Sequence, residues 1–386
     1  MGENATTLPP GSWLGCMGGG QLGRMFVHAA QAMGYHVVVL DPDADGPAAQ
    51  AANDVIVANY DDLTAIDALA SRVSAVTTEF ENVPAAALER LAQKIPTRPS
   101  AAAVRVAQDR RLEKTFFAKS GLPVGAFTVI ESESDLRAVA TSLFPGILKT
   151  ATLGYDGKGQ ARVANLEEAL AAFAKMKAVP CMLEALIAFD MEVSVLVARG
   201  ADGDVRVWPV QENEHANGIL DLTIVPARID AAVSELAQAL AKQLVTALDY
   251  VGVLCVEMFV TKSGELLLNE IAPRPHNSGH YTIEACVTSQ FEQQARVLAG
   301  APLGDTSLIQ PAVMVNVLGD VWFDAESPMH PKWNDVLAIP GAHLHLYGKA
   351  EPRRARKMGH VTCTSASLET ALAHATRVKE TLVILS

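Results

Sequence analysis

The sequence predicts an α/β protein of two or three joined domains, and three observations carry that expectation. Residues 12–41 run as strand, glycine-rich turn, amphipathic helix and strand, the order of a parallel βαβ unit. Strand-length apolar runs then keep alternating with helical periodicity as far as a last helix expected at 368–379. At 253–272 two apolar runs flank Ser263-Gly264, a small-residue pair suited to a tight hairpin turn. The length, 386 residues, fits two or three domains sharing a continuous surface. A net charge of −12 argues against nucleic acid and anionic membrane as main partners. Five cysteines form no CxxC pair and sit mostly in apolar contexts, as buried thiols of a reducing compartment do. No run is apolar for long enough to span a bilayer, and residues 1–10 lack the regions of a signal peptide, so a cytoplasmic protein is expected.

Residues 1–11 read as a disordered tail and 12–106 as an N-terminal Rossmann-like domain. Gly18, Gly20 and Gly23 fit G-x-G-x-x-G, and Asp41 ends the next strand, where a ribose-binding acid would lie. Taken alone this pattern names a dinucleotide, hence an NAD-dependent oxidoreductase. It demands no more than a tight backbone turn at a helix start, with N–H groups open to any phosphate or ribose. Gly20, Gln21 and Leu22 stand at that turn. Further βα units follow, with Glu79 and Asn82 just after a strand end, where open parallel sheets place their ligands.

A second unit is expected over 107–305, with a small α/β lid at about 125–187. It opens on one helix from Ala107, which carries Arg110 and Lys114 on a single face. In the lid, helix 132–143 precedes Lys149, a charge in a half-buried strand that calls for an anion. The loop Gly154-Tyr155-Asp156-Gly157-Lys158-Gly159-Gln160 follows; its glycines and backbone donors suit closure over phosphates, though it is no Walker P-loop. Glu184-Ala185-Leu186-Ile187 ends the lid, Glu192 opens the next strand, and His215 lies at the end of a strand 205–215.

With Ser263-Gly264 as a two-residue turn, Glu257 lies directly opposite Glu270. Opposed like charges on one sheet face are destabilising, so a compensating cation is required. Carboxylates without Cys or His partners suit Mg²⁺; a buried Lys or Arg is the other way to supply the charge. Asn269 precedes Glu270, and the following loop packs Arg274, His276, Asn277 and His280 among prolines that hold Arg274 stiff. The third unit, 306–386, is β-rich and carries Lys349, Arg353, Arg354, Arg356 and Lys357 in one short run, an anion site or a solvated loop.

The hairpin glutamates, NEIAPRPHNSGH and GYDGKGQ together resemble the ATP-grasp enzymes of purine synthesis, in the branch that carboxylates aminoimidazole ribonucleotide. The resemblance runs from Gly18 to His360. It implies an ATP-grasp fold between a Rossmann-like domain and a small C-terminal β-rich domain. It further implies ATP, Mg²⁺ (two ions) and bicarbonate, a carboxyphosphate intermediate, and a homodimer. For ATP it implies Arg110, Lys149, the loop 154–160, Glu184 to Ile187, Glu192, His215, Asn269 and Glu270. For the ribonucleotide it implies Gly20, Gln21, Leu22, Glu79, Asn82, Tyr155, Arg274, His276, Lys349, Arg356 and Lys357. Metal falls to Glu257 and Glu270, and catalysis to Lys149, Arg274, His276 and Asn277. Where relatives carry a glycine before Arg-Lys, this chain has Ala355. The competing readings are a formate-using glycinamide ribonucleotide transformylase of the same superfamily and the NAD-dependent oxidoreductase.

Overall fold

A computed structural model describes residues 7–152, 159–324 and 327–383. In chain order the N-terminal elements are β1 (Trp13–Met17), α1 (Gln21–Ala32), β2 (His36–Asp41), β3 (Asp54–Val57), α2 (Leu63–Arg72), β4 (Ala75–Thr78), α3 (Ala85–Ala92) and α4 (Ala101–Gln108). The parallel sheet is ordered β3-β2-β1-β4. Burial of both its faces explains the unbroken apolar strands Leu14–Met17 and Val37–Leu40.

The lid comprises β5 (Phe127–Ile130), α6 (Glu133–Arg137), β6 (Gly146–Thr150), β7 (Gln160–Val163), α7 (Leu166–Lys175) and β8 (Cys181–Ala185), preceded by α5 (Arg110–Lys119). Its strands form an antiparallel sheet ordered β5-β8-β6-β7. The body holds β9 (Phe189–Arg199), β10 (Val205–Val207), β11 (Gln211–Ala216), β12 (Ile219–Val225), α8 (Ala231–Ala247), β13 (Gly252–Thr261), β14 (Leu266–Ala272), α9 (Thr282–Ala285) and α10 (Gln290–Ala299). The C-terminal elements are β15 (Ala312–Leu318), β16 (Phe323–Asp324), β17 (Ser327–Pro328), α11 (Trp333–Leu337), β18 (Ala342–Leu346), β19 (Lys357–Thr364) and α12 (Leu368–Leu382).

One large sheet runs β14-β13-β9-β11-β12-β15-β19-β18, with β10 beside β9. The last unit therefore adds its strands to the body's sheet through the pairs Leu222↔Val315 to Val225↔Ala312. That continuity carries Lys357, the first residue of β19, toward the β13–β14 hairpin. Helix α8 packs on the hairpin end of the sheet, and α12 on β15 and β19.

Local chemistry moved several boundaries. The helix expected from Ala107 breaks at Asp109, whose extended backbone and side chain cap α5 by accepting from Arg111 N–H. The helix expected at 132–143 is a five-residue α6 with a Ser132–Asp135 capping box, then a 3₁₀ turn at Thr141–Leu143. The strand expected over 205–215 divides into β10 and β11, separated by Trp208-Pro209-Val210. In the expected tail, Leu8 donates its N–H to Ala299 O at 2.8 Å and Tyr35 hydroxyl donates to Leu8 O at 2.9 Å, so residues 7–11 are tied down; residues 1–6 lie outside the described residues.

Candidate active site

The hairpin turn is longer than the two residues expected. Gly264 donates its N–H to Thr261 O at 2.8 Å, and Thr261 donates to Glu265 O at 2.9 Å, so Lys262, Ser263 and Gly264 form the loop. Gly264 sits at φ +79°, the left-handed conformation a three-residue loop needs. Near the turn the register is accordingly shifted, with Val260↔Leu266 and Met258↔Leu268 paired. A bulge between Glu257 and Met258 then takes in Asn269 as an extra residue, and Glu257 comes to face Glu270.

The two carboxyls differ in their neighbours. Arg110 Nη1 reaches Glu270 Oε2 at 2.9 Å. Burial pushes the Glu270 carboxyl up, but Arg110, Lys149 and Lys114 outweigh it and hold the group below the usual carboxylate range. Glu257 is pushed up to about 8 by burial and by Glu270. Its Oε1 lies 3.1 Å from His276 Nε2. Burial, Arg274 and Lys357 keep that imidazole neutral well below its ordinary value. The pair therefore shares its charge unequally: the cations hold Glu270 ionised, while burial and Glu270 bias Glu257 toward holding a proton until a cation arrives. The charge expected from a buried Lys or Arg is thus met for Glu270 and unmet for Glu257. Asn269 Oδ1, buried at the bulge, has no hydrogen-bond partner among the described residues. Two carboxylates and an unpartnered amide oxygen make a hard-oxygen donor set that fits Mg²⁺. Cys255, Glu257 and His276 also converge within 4.8 Å, but burial and Glu257 push the Cys255 thiol up, so it is no thiolate ligand.

Two clefts meet at this pair. One, of about 410 Å³, opens under the lid and is lined by Lys149, Gln160, Glu192, His215, Asn269 and Asn277. The other, of about 300 Å³, opens toward the N-terminal domain and is lined by Glu81, Asn82, Gln108, Glu113 and Arg274. Arg110, Glu257, Glu270, His276 and Lys357 border both.

On the lid side, Glu184 is held between two lysines. Its Oε1 takes Lys149 Nζ at 3.1 Å and its Oε2 takes Lys114 Nζ at 3.3 Å. Burial raises the Glu184 carboxyl, and the two lysines bring it below the ordinary range. His215 Nδ1 pairs with Glu192 Oε2 at 2.9 Å, which lifts the imidazole above its ordinary value despite burial. The N–H groups of Ala185 and Leu186 are donated to Ala126 O and Pro145 O, at 2.9 Å each. Ile187 packs over Gly125, where a Cβ would meet its Cδ1 at 2.7 Å. Phe189 and Phe259 stack with centroids 4.6 Å apart on the cleft wall. Gly159 accepts from Thr150 N–H at 2.8 Å, and Gln160 opens β7 opposite Lys149. Gly154, Tyr155, Asp156, Gly157 and Lys158 lie outside the described residues.

On the other side Arg274 Nε is paired with Glu81 Oε2 at 2.5 Å, so the arginine expected to await an anion already holds one. Asn82 is exposed at the cleft edge. Glu113, 2% exposed, accepts from Ile271 N–H at 2.8 Å and is pushed up to about 8 by burial and Glu270. The glycine turn is filled from within: Glu79 Oε2 accepts from Gly23 N–H at 2.6 Å, and Asp41 Oδ2 from Gly19 N–H at 2.5 Å. A Cβ on Gly18, Gly20 or Gly23 would lie 2.4, 2.0 or 2.5 Å from Glu79. These glycines admit a carboxylate of the chain itself where a dinucleotide would place its pyrophosphate. Gln21 begins α1 half-buried, and Leu22 is 8% exposed within the N-terminal core, so its side chain is a packing group.

The basic C-terminal turn leans on the same domain. Lys349 Nζ donates to Lys357 O at 2.6 Å and Arg356 Nη1 to Glu351 O at 2.9 Å. Gln50 Nε2 donates to Gly348 O at 3.0 Å, and Arg24 Nη1 lies 3.2 Å from where a Gly348 Cβ would be. Ala355 sits at φ +61°, which costs an L-residue about 1–2 kcal/mol and explains why a glycine suits this position.

Sequence reasoning passed over Arg24, Glu81, Glu113, the Phe189–Phe259 pair and, as a site residue, Lys114. The sequence signal for Lys114 was its place one helical turn after Arg110; the structure buries it to 3% exposure. Glu81 stood between the two residues chosen after β4.

Comparison with known proteins gives a consistent result. Residues 12–108 match the ribonucleotide synthetase preATP-grasp domain, 115–291 the ATP-grasp domain, and 312–374 the phosphoribosylaminoimidazole carboxylase C-terminal domain. The chain is 48% identical to the N5-carboxyaminoimidazole ribonucleotide synthase of Brucella melitensis, over 92% of this chain and 97% of that one. The Bacillus subtilis enzyme of the same name is 42% identical, over 92% and 91%. An ADP complex of an N5-carboxyaminoimidazole ribonucleotide synthetase superposes with TM-score 0.89 at 44% identity, over 97% and 98%. The Aspergillus clavatus enzyme with ADP and 5-aminoimidazole ribonucleotide gives 0.86 at 33% identity, over 97% and 100%.

Proposed function

Because the chain belongs to the N5-carboxyaminoimidazole ribonucleotide synthase family of ATP-grasp enzymes, we propose the division of labour that follows for its two clefts. The protein is an ATP-dependent, ADP-producing ligase that converts 5-aminoimidazole ribonucleotide to N5-carboxyaminoimidazole ribonucleotide in purine biosynthesis. The oxidoreductase and the formate-using transformylase are not favoured. The observation that carries the division is the shared wall of Arg110, Glu257, Glu270, His276 and Lys357. A phosphoryl donor on one side of such a wall faces an acceptor on the other.

ATP takes the lid side. Its adenine lies along the Phe189–Phe259 pair and meets the Ile187 backbone, since the two preceding amides are spent inside the lid. Glu192 and His215 hold ribose hydroxyls. Glu184 serves the phosphates indirectly: braced by the buried Lys114, it holds Lys149, whose ammonium group faces the phosphate chain with Arg110. Mg²⁺, held by Glu257, Glu270 and Asn269, would supply neutralisation of phosphate charge.

Bicarbonate and the ribonucleotide take the other side. The acceptor is bicarbonate, held by Arg274 once that residue turns from Glu81. A bicarbonate oxygen bonds to the γ-phosphorus as the bond to ADP breaks, giving carboxyphosphate. The exocyclic amine then bonds to the carboxyl carbon, phosphate leaves with the electron pair, and the amine proton departs beside His276 and Asn277. Glu79, Asn82 and the backbone at Gly20 and Gln21 approach the ribose, while Lys349, Arg356 and the neighbouring Arg24 receive the 5′-phosphate. A homodimer and a cytoplasmic location complete the proposal; all five cysteines are free and buried, as a reducing compartment allows.

The test is ADP release in bicarbonate, with and without 5-aminoimidazole ribonucleotide. Stimulation by the ribonucleotide, and none when formate replaces bicarbonate, is expected. Formate-dependent release would return the transformylase.

A linked prediction concerns stability. Glu257, ordinarily near 4.5 and about 8 when folded, binds its proton more tightly in the folded state. Its stabilising contribution is complete below the ordinary value and is lost as pH rises through about 8. Thermal melts at saturating Mg²⁺ should therefore show stabilisation by the ion that is small near pH 5 and grows toward pH 8.5. Equal stabilisation at both would detach the ion from Glu257.

A further inference from the structure

One ion pair of the site stands where a ligand has to go. Arg274 Nε donates to Glu81 Oε2 at 2.5 Å, and its Nη1 donates to Pro275 O at 3.2 Å. The two side chains are 17% and 28% exposed and both line the cleft of about 300 Å³, so the pair belongs to the cleft wall and not to the core. A guanidinium grips a planar oxyanion best through two parallel N–H groups on one edge, either Nε with one amino group or the two amino groups together. Glu81 occupies the first edge and Pro275 part of the second. An incoming bicarbonate competes with Glu81 for the same donors.

The backbones on either side are fixed, so the exchange falls to the side chains. Gln108 Nε2 donates to Glu81 O at 2.6 Å and to Val83 O at 2.8 Å. Arg274 sits between two prolines and donates its N–H to Ala272 O at 2.8 Å. Neither charge is stranded when the two part. Burial raises the Glu81 carboxyl, but Arg274 and then Lys357 bring it below its ordinary range, so a second cation lies within its field. Glu79 and Glu257 lie within the field of Arg274. Glu81 also stands between Glu79 and Asn82, the residues placed beside the ribose. An ionised carboxylate there is an acceptor for the ribose hydroxyls or the amine N–H of the ribonucleotide.

We propose that Glu81 is a positioning residue that keeps Arg274 from bicarbonate until the ribonucleotide enters the cleft and takes the carboxylate as its own acceptor. Carboxyphosphate then forms only where its amine acceptor already waits; made earlier, it is lost to water as bicarbonate and phosphate. This rests on the reading of Arg274 as the bicarbonate holder. A site that must break one contact before it binds has its affinity lowered by the share of time that contact is made.

ADP and carboxylated product counted in the same reaction test this. In the intact protein ADP release in bicarbonate alone should be slow, and ADP should match product once the ribonucleotide is present. Glu81→Gln keeps the volume and loses the charge. It should release ADP in bicarbonate alone about 10-fold faster, and make more ADP than product when the ribonucleotide is added. Glu81→Asp, which keeps the charge, should recover most of the coupling. Release in bicarbonate alone that is no faster in a folded Glu81→Gln protein would overturn the proposal. The contact is also read without turnover, from the Nε–H signal of Arg274 in protein labelled at arginine, identified by its loss in Arg274→Lys. Saturating ribonucleotide alone should move that signal. A signal left in place would overturn the proposal, whether or not the Glu81 variant folds. Faster ADP release in Glu81→Gln that persists when bicarbonate is withheld would instead unseat Arg274 as the bicarbonate holder, and the functional reading with it.

Discussion

Glu270→Gln should reduce ribonucleotide carboxylation by about 10³-fold while the protein stays folded, because a charged ion holder at a phosphoryl-transfer site is worth several kcal/mol. The neutral isostere keeps the side-chain volume and removes the repulsion across the pair Glu257↔Glu270, which offsets the loss of the Arg110 ion pair, so the fold should persist. Arg110 loses its contact with Glu270 at 2.9 Å. Glu257 should drop from its raised value near 8, because Glu270 is the second cause of that rise after burial. ADP release at saturating Mg²⁺, together with a melt, separates these effects. Near-normal turnover would remove the metal from this hairpin.

Arg356→Ala should raise the half-saturating concentration of the ribonucleotide about 10- to 150-fold, since one charge-assisted contact contributes about 1.5–3 kcal/mol. Half-saturating ATP should hardly change, because the cleft proposed for ATP, lined by Lys149, lies on the other side of the wall. Lys357 borders both clefts, so Lys357→Ala should lower kcat as well. Titrations of each variant with each substrate check this. Equal weakening for both substrates in Arg356→Ala would indicate a disturbed C-terminal turn, and no change would return the arginine to solvent.

The opposition of Glu257 and Glu270 was legible in the sequence, though by a route the chain does not use. A turn one residue longer than expected and a bulge at Asn269 cancel, and the pair returns to register. Periodicity cannot see a bulge, because one inserted residue leaves the apolar pattern on both sides intact. The glycine turn shows the opposite failure. G-x-G-x-x-G was read correctly as close backbone approach, but what approaches is Glu79, sixty residues on in a different βα unit. Long-range pairs of this kind, including Arg274–Glu81 and Lys114–Glu184, have no local signature, since each partner alone looks like a loop or helix charge. The β-rich character of the C-terminal unit was read, but not that its strands extend the body's sheet, because an edge open to pairing looks the same in sequence as an edge facing solvent.

The central claim is that ATP and bicarbonate meet across the wall made by Glu257 and Glu270. Turnover with bicarbonate labelled in oxygen-18 tests it most directly, run faster than the label exchanges with water. Attack of a bicarbonate oxygen on the γ-phosphorus predicts that the inorganic phosphate released carries one labelled oxygen for each ribonucleotide carboxylated. Unlabelled phosphate, with carboxylated product still formed, would contradict it.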